Sequence, residues 1–170
     1  MEVTRIAPFL DYLDRVHERT RRVVQRVRAE DLEWQAGPGR FTPGDLIRHL
    51  AALERFMWAE TVHGRPSSYP GHSRDLADGL GPTIAYYDRL HAESRALFAQ
   101  LSDGRLGEKC QTPAGTSITV GKWLRAMTEH EAHHRAQLYL MLGLRGVPTP
   151  PIYGLTSEEV HAKTLVPSGE

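Results

Sequence analysis

The chain has 170 residues, 40% of them hydrophobic and 25% charged, proportions that suit one globular domain over residues 1–170 and not a disordered chain. Twenty-one basic residues balance twenty-one acidic ones, so charge gives no reason to expect a nucleic acid or an anionic membrane as partner, and no stretch approaches the roughly 20 apolar residues that span a bilayer. The single cysteine, Cys110, excludes an internal disulfide framework. The first residues, MEVTRIAPFLDYLDR, lack the apolar core of a secretory signal, and a cytoplasmic protein is expected.

Ile6, Phe9, Leu10, Leu13, Val16, Val23 and Val27 recur at three- and four-residue steps, which predicts a first helix over about Glu2 to Arg28. Its basic run from Arg15 to Arg28, interleaved with Asp14 and Glu18, reads as a solvated face. Gly37-Pro38-Gly39 breaks the pattern. A second helix starts at Thr42-Pro43-Gly44-Asp45, where Thr42 can cap, Pro43 suits the first turn and Asp45 favours the positive end of the dipole. It stops near His63-Gly64-Arg65-Pro66.

A third helix is predicted over Leu80 to Leu101, closed by Ser102-Asp103-Gly104. Gly107 to Ile118 fits either an irregular loop or a short strand pair. A fourth helix runs from Val120 to Leu142, capped by Thr119 and stopped by Gly143, Gly146 and Pro148. A short last helix begins at Ser157-Glu158-Glu159 and reaches about Thr164. Thr42-Pro43-Gly44-Asp45-Leu46-Ile47-Arg48 faintly resembles Thr119-Val120-Gly121-Lys122-Trp123-Leu124-Arg125. Four long helices with connections of mixed length point to an all-α four-helix bundle, a fold that builds metal sites from inward side chains.

Histidine is the unusual residue: there are nine. On the fourth helix, counted at about 100° per residue, Val120, Trp123, Leu124, Met127, Leu138, Met141 and Leu142 fall within about 60° of one direction. Between Met127 and Leu138 that buried stripe is interrupted by His130, Glu131 and His134. Ionisable groups facing a core are costly unless paired or bound. His130 and His134 stand one turn apart, the spacing with which two imidazoles grip one ion, whereas His133 lies off the stripe. On the second helix His49 borders the stripe Leu46, Leu50, Leu53 and Met57, on the Phe56 side. Packed helices lie about 8–10 Å apart, within reach of a shared cation. Three neutral imidazoles leave a coordination position open, as in catalytic sites.

The remaining histidines read as surface or supporting groups: His17 and His91 on exposed helix faces, His63 and His72 beside a loop, and His133 and His161 with no reason to point inward. Cys110, beside Lys109, reads as an incidental loop thiol. His130-Glu131-Ala132-His133-His134 matches H-E-x-x-H literally, but a zincin takes its third ligand downstream and packs its helix on a sheet, neither of which is apparent. Glu131 is therefore a candidate to orient a ligand, to activate water as a catalytic base, or to form an internal salt bridge.

These residues, with Leu46-Ile47-Arg48-His49-Leu50, His130 through Leu138 and the tail Ile152-Tyr153-Gly154-Leu155-Thr156-Ser157-Glu158-Glu159-Val160, resemble the DinB/YfiT-like metalloenzyme superfamily over nearly the whole chain. The resemblance implies an up-up-down-down bundle with a short extra C-terminal helix and one divalent metal, zinc or nickel, on His49, His130 and His134. It also implies a homodimer, a small-molecule substrate and, in some relatives, a low-molecular-weight thiol such as bacillithiol or mycothiol. On that basis three functions are expected in order: thiol S-transfer to small electrophiles, hydrolysis by metal-activated water with Glu131 moving the proton, and a non-catalytic stress-response module. Arg135, Arg48, Arg55 and Tyr139 are candidates to hold a thiol's carboxylates.

Overall fold

The structure, a computed structural model, describes residues 3–165. Helix α1 spans Ile6–Val24, α2 Pro43–Leu53, α3 Ala59–Val62, α4 Leu80–Phe98, α5 Val120–Leu144 and α6 Ser157–Leu165. A π-helical turn, Glu54–Trp58, joins α2 to α3, so the predicted second helix is continuous but locally underwound. Strands β1 (Lys109–Gln111) and β2 (Ser117–Thr119) form an antiparallel pair with Cys110 opposite Ile118. The 107–118 connection is thus a hairpin, and Cys110 is buried against the core and not in a loop.

Helix α1 begins later than predicted because the Asp103 carboxylate accepts from the Ile6 N–H at 2.8 Å; Glu2 lies outside the described residues. It ends one turn early, where Arg28 turns to pair with buried Asp31. The start of α2 follows the predicted chemistry: Thr42 Oγ1 accepts from the Asp45 N–H at 2.9 Å, and the Asp45 carboxylate accepts from the Thr42 N–H at 3.0 Å. This capping box satisfies two backbone donors that the first turn would leave unpaired.

The four-helix bundle is formed by α1, the α2–α3 unit, α4 and α5, and the sense of its helices differs from the expected up-up-down-down order. Phe9 meets Phe98, Asp14 meets Arg95 and Arg21 meets Asp88, so α1 and α4 are antiparallel. Thr61 meets Trp123 and His49 meets His130, so the α2–α3 unit and α5 are antiparallel as well. Glu54 pairs with His91 and His63 reaches Leu97, which makes the α2–α3 unit and α4 parallel. The order is therefore up-down-down-up. Consecutive parallel neighbours need a crossover, and residues 64–79 supply it by running back along α2. Ser68 N–H donates to the Phe56 carbonyl, and the His72 carbonyl accepts from Arg48 Nε.

Arg48 is fully buried, and its guanidinium bonds Glu33, Asp45 and the carbonyls of His72 and Ala77. One apolar cluster gathers Val23, Ile47, Leu90 and Leu138, and a second gathers Phe9, Leu13, Phe98, Leu124 and Met127. Among the described residues, no helix is long and apolar enough to cross a membrane.

The faint repeat at the starts of α2 and α5 has a packing reason. A Cβ on Gly44 would lie 3.0 Å from the Leu32 carbonyl oxygen, and one on Gly121 would lie 2.5 Å from that of Val3. Each glycine lets a neighbouring backbone cross a helix start. Gly121→Ala is expected to cost about 1–3 kcal/mol through overpacking, despite the better helix propensity of alanine. Gly143→Ala, where a Cβ meets nothing within 4 Å, serves as the control and should be neutral or stabilising in the same chemical denaturation series.

Candidate metal centre

Three of the nine histidines converge. His49 Nε2 lies 3.2 Å from His130 Nε2, which lies 3.0 Å from His134 Nε2. One ligand atom from each of the three falls within 4.8 Å of the others, the only such group among the described residues. A tetrahedral ion bonded to nitrogens at about 2.0–2.1 Å holds them about 3.3 Å apart, so this spacing fits a divalent cation of the zinc type.

Each neutral imidazole has one N–H, and for His134 the surroundings place it. His134 Nδ1 is 2.7 Å from Gln137 Oε1, an atom that only accepts, so the proton sits on Nδ1 and Nε2 is bare. His49 Nδ1 is 2.8 Å from the Tyr69 hydroxyl, which lies 3.1 Å from His72 Nδ1. A cation on His49 Nε2 requires the proton on Nδ1; Tyr69 then accepts from His49 and donates to His72. Gln137 Nε2 lies 3.2 Å from His133 Nε2. Two of the three candidate ligands are thus fixed through a bridging side chain that ends on another histidine.

Burial, with His134 and His72 nearby, lowers the pKa of His49 to about 4. Burial, with the other site histidines, lowers that of His130 to about 3, and burial also lowers His134. All three are neutral at pH 7, so no imidazolium has to lose its charge before a metal binds. Phe41 packs 5.4 Å from the His49 ring and 4.6 Å from that of His72, while the Trp58 ring lies 4.9 Å from that of His130. The π turn accounts for Trp58. In regular winding it would stand about 180° round from His49, and one inserted residue brings it to within about 80°.

Sequence reasoning placed His49, His130 and His134 at the interior and His133 outside it; in the structure the three converge and His133 is exposed. It did not single out Tyr69 or Gln137. Gln137 follows His134 by three residues and so shares its face, a signal that was available. Tyr69 lies in the crossover, and nothing in its spacing reveals the register against α2.

Glu131 lies elsewhere. It is buried, its Oε1 accepts from the Tyr87 hydroxyl at 2.9 Å, and it is not part of the histidine group. Burial and nearby Glu54 raise its pKa, with Thr20, Tyr87 and His91 opposing. It forms no ion pair among the described residues, so its internal partner is a phenol and not the expected cation. His17 and His91 are also buried, contrary to the exposed faces expected of them. Their rings stack at 3.6 Å, 7° from parallel, and His91 Nδ1 lies 3.1 Å from Glu54 Oε1. The spacing Leu13–His17–Thr20–Val24 carried the signal, since each of these positions is buried on one stripe.

The candidate carboxylate holders are already engaged. Arg48 is committed as described, and Arg55 pairs with Glu60 and Glu93. Arg135 reaches the Val16 carbonyl, and the Tyr139 hydroxyl donates to that of Pro150. Burial raises the Cys110 thiol pKa, which leaves it inert at neutral pH.

Supporting partners of metal-bound histidines are worth about 10–100-fold in metal affinity, so Tyr69→Phe and Gln137→Leu should each weaken zinc binding by about that factor in chelator competition. His133→Ala should have little effect. A second expectation concerns His17, whose pKa is lowered to about 3 by burial and by His91, against the pull of Asp88. Between about pH 6.5 and 3 the unfolded chain takes up a proton that folded His17 refuses, so stability falls as pH falls through that window. His17→Phe removes this contribution, and the variant's melting temperature should drop less than the parent's between pH 7 and 5.

The model of the DinB superfamily matches residues 12–138. The uncharacterized protein YrdA of Bacillus subtilis is 23% identical over 145 residues, which covers 82% of this chain and 83% of YrdA. Among solved structures, a DinB-like protein from Bacillus cereus aligns with a TM-score of 0.72 at 18% identity, covering 89% of this chain and 99% of its own. The DinB-like protein YjoA of Bacillus subtilis also aligns with a TM-score of 0.72, at 15% identity, covering 88% of this chain and 99% of its own. YfiT of Bacillus subtilis, described as a probable metal-dependent hydrolase with an unusual four-helix bundle topology, aligns with a TM-score of 0.67 at 17% identity, covering 84% of this chain and 89% of its own. With the family model spanning most of the helical bundle, including all three converging histidines, the chain belongs to the DinB superfamily.

Proposed function

We propose that the protein is a metal-dependent enzyme of the thiol S-transferase type acting on small electrophiles, with zinc or nickel held by His49, His130 and His134. The observation that carries this reading is the convergence of three neutral Nε2 atoms at the spacing of ligands on one cation, with His134 Nε2 left bare by the Nδ1–H that it donates to Gln137. A divalent cation there supplies Lewis acidity, which lowers the pKa of a thiol that reaches it.

The chain's own residues do the rest. Tyr69 and Gln137 hold the His49 and His134 rings with Nε2 inward. Phe41 and Trp58 pack against the His49 and His130 rings. The thiol proton leaves to solvent, the thiolate sulfur forms a bond to an electrophilic carbon, and the carbon's bond to its leaving group, or to an epoxide oxygen, breaks with that electron pair. No general base is required inside the cluster. That favours thiol transfer, because Glu131, the base that hydrolysis was expected to use, faces Tyr87.

A second reading, hydrolysis, draws support from the likeness to YfiT, described as a probable metal-dependent hydrolase. The two separate in one experiment. Metal content of the parent and of His49→Ala, His130→Ala, His134→Ala and His91→Ala is measured, and metal-loaded parent is assayed on an aryl halide, an epoxide and an ester with and without small thiols. The expected result is sharp metal loss in the first three variants only, and turnover that requires a thiol. Thiol-independent ester cleavage transfers the assignment to hydrolysis, metal binding without any turnover supports a non-catalytic module, and failure of the parent to bind metal removes every version.

A further inference from the structure

A cavity of about 510 Å³ lies beside the histidine cluster, between the 36–41 segment and the second half of α5. It shares two side chains with the surroundings of the cluster. Phe41, which packs on His49 and His72, is its inner wall, and Gln137, which accepts from His134, stands at the same end. From there Gln137, Leu140, Met141 and Leu144 continue at three- and four-residue steps down α5, with Gln137 and Met141 nearer the His130 and His134 side and Leu140 and Leu144 nearer solvent.

Leu140 and Leu144 are 65% and 62% exposed. Two large apolar side chains held in water one turn apart, as one wall of a concave surface, mark a surface suited to being covered. The cavity's volume lies in the range of small-molecule sites. Its lining is apolar except for Gln137 and one charged residue, Arg40, at the opposite wall. Arg40 makes no ion pair among the described residues, in contrast to Arg48, Arg55 and Arg28, each of which has a carboxylate partner. An apolar cavity with one unneutralised cation and no acid selects an apolar body bearing a single negative charge.

We propose that this cavity binds a small amphiphilic anion, with its aliphatic or aryl body against Leu140, Met141 and Leu144 and its acidic group on Arg40. As a site for the electrophilic substrate it rests on the reading of the three histidines as the reacting centre; as a binding site it stands on its own lining. Phe41 is then the partition between the bound body and the histidines, and its size sets how closely the two approach.

Octanoate is the probe, with 1-octanol as its uncharged counterpart, titrated calorimetrically into the full chain, and bound metal is measured on the same preparations. Saturable one-to-one octanoate binding is expected, weakened about tenfold or more, or at least 1.4 kcal/mol, by Leu140→Asp or Leu144→Asp. Arg40→Gln should bring octanoate and octanol to similar affinity. Circular dichroism confirms that these exposed-site variants are folded. Absence of saturable octanoate binding by folded parent overturns the proposal, as does binding that the two leucine variants leave unchanged. If sedimentation shows a dimer that Leu144→Asp dissociates and that excludes octanoate, a second copy covers the face and the proposal is again overturned. His134→Ala separates the two readings: octanoate binding that survives in a metal-free variant supports the cavity on its own, whereas metal bound by a parent blind to octanoate keeps the metal centre and sinks the cavity.

Discussion

Three imidazole nitrogens are held about as close together as one divalent ion would hold them, inside a bundle that leaves them uncharged at neutral pH. Most of the surrounding architecture bears on that arrangement. A lone buried histidine satisfies itself with one donor and one acceptor partner. Three that face each other can do so only if their remaining nitrogens are tied elsewhere, and here Tyr69 and Gln137 tie two of them. Tyr69 and Gln137 thus orient two of the three candidate ligands, which reduces the ordering cost that binding a cation would carry.

Helix direction decides where the supporting residues come from. Because the α2–α3 unit and α4 are parallel neighbours, the chain must travel the length of the bundle between them, and it does so along α2, past His49. Tyr69 and His72 reach the centre as a result of that route. In a bundle with antiparallel consecutive helices a short turn would suffice, and no such segment would pass the histidines. The polar residues at mid-height of the bundle are a separate matter. Glu54 bonds His91 and Glu131 accepts from Tyr87, while His17 stacks between His91 and Tyr87 with its Nδ1 left without a hydrogen-bond partner among the described residues. Glu131 belongs to that set although it is next in sequence to His130, because adjacent residues on a helix point about 100° apart.

Much of this was legible in the sequence, for reasons that can be named. The helix count and most boundaries followed from three- and four-residue periodicity and from capping residues such as Thr42 and Asp45. The candidate ligands followed from polar residues interrupting an apolar stripe. Helix direction was not legible, because periodicity shows which face is buried and not which neighbour buries it, so the expected order was replaced by up-down-down-up. The π turn was not legible either, since Glu54–Trp58 has the composition of ordinary helix. His17 and His91 were misread because a histidine at a core position looks like one on a surface until the residues three and four away are counted with it.

Arg48 ties these elements to one another. Its guanidinium holds Glu33, in the segment that leads to Phe41, and the carbonyl of His72, in the crossover that carries Tyr69. Both side walls of the histidine cluster are therefore moored to a single buried cation seated one residue before His49. Loss of that guanidinium would release both anchors at once, Glu33 ahead of the aromatic side and the His72 carbonyl on the phenolic side.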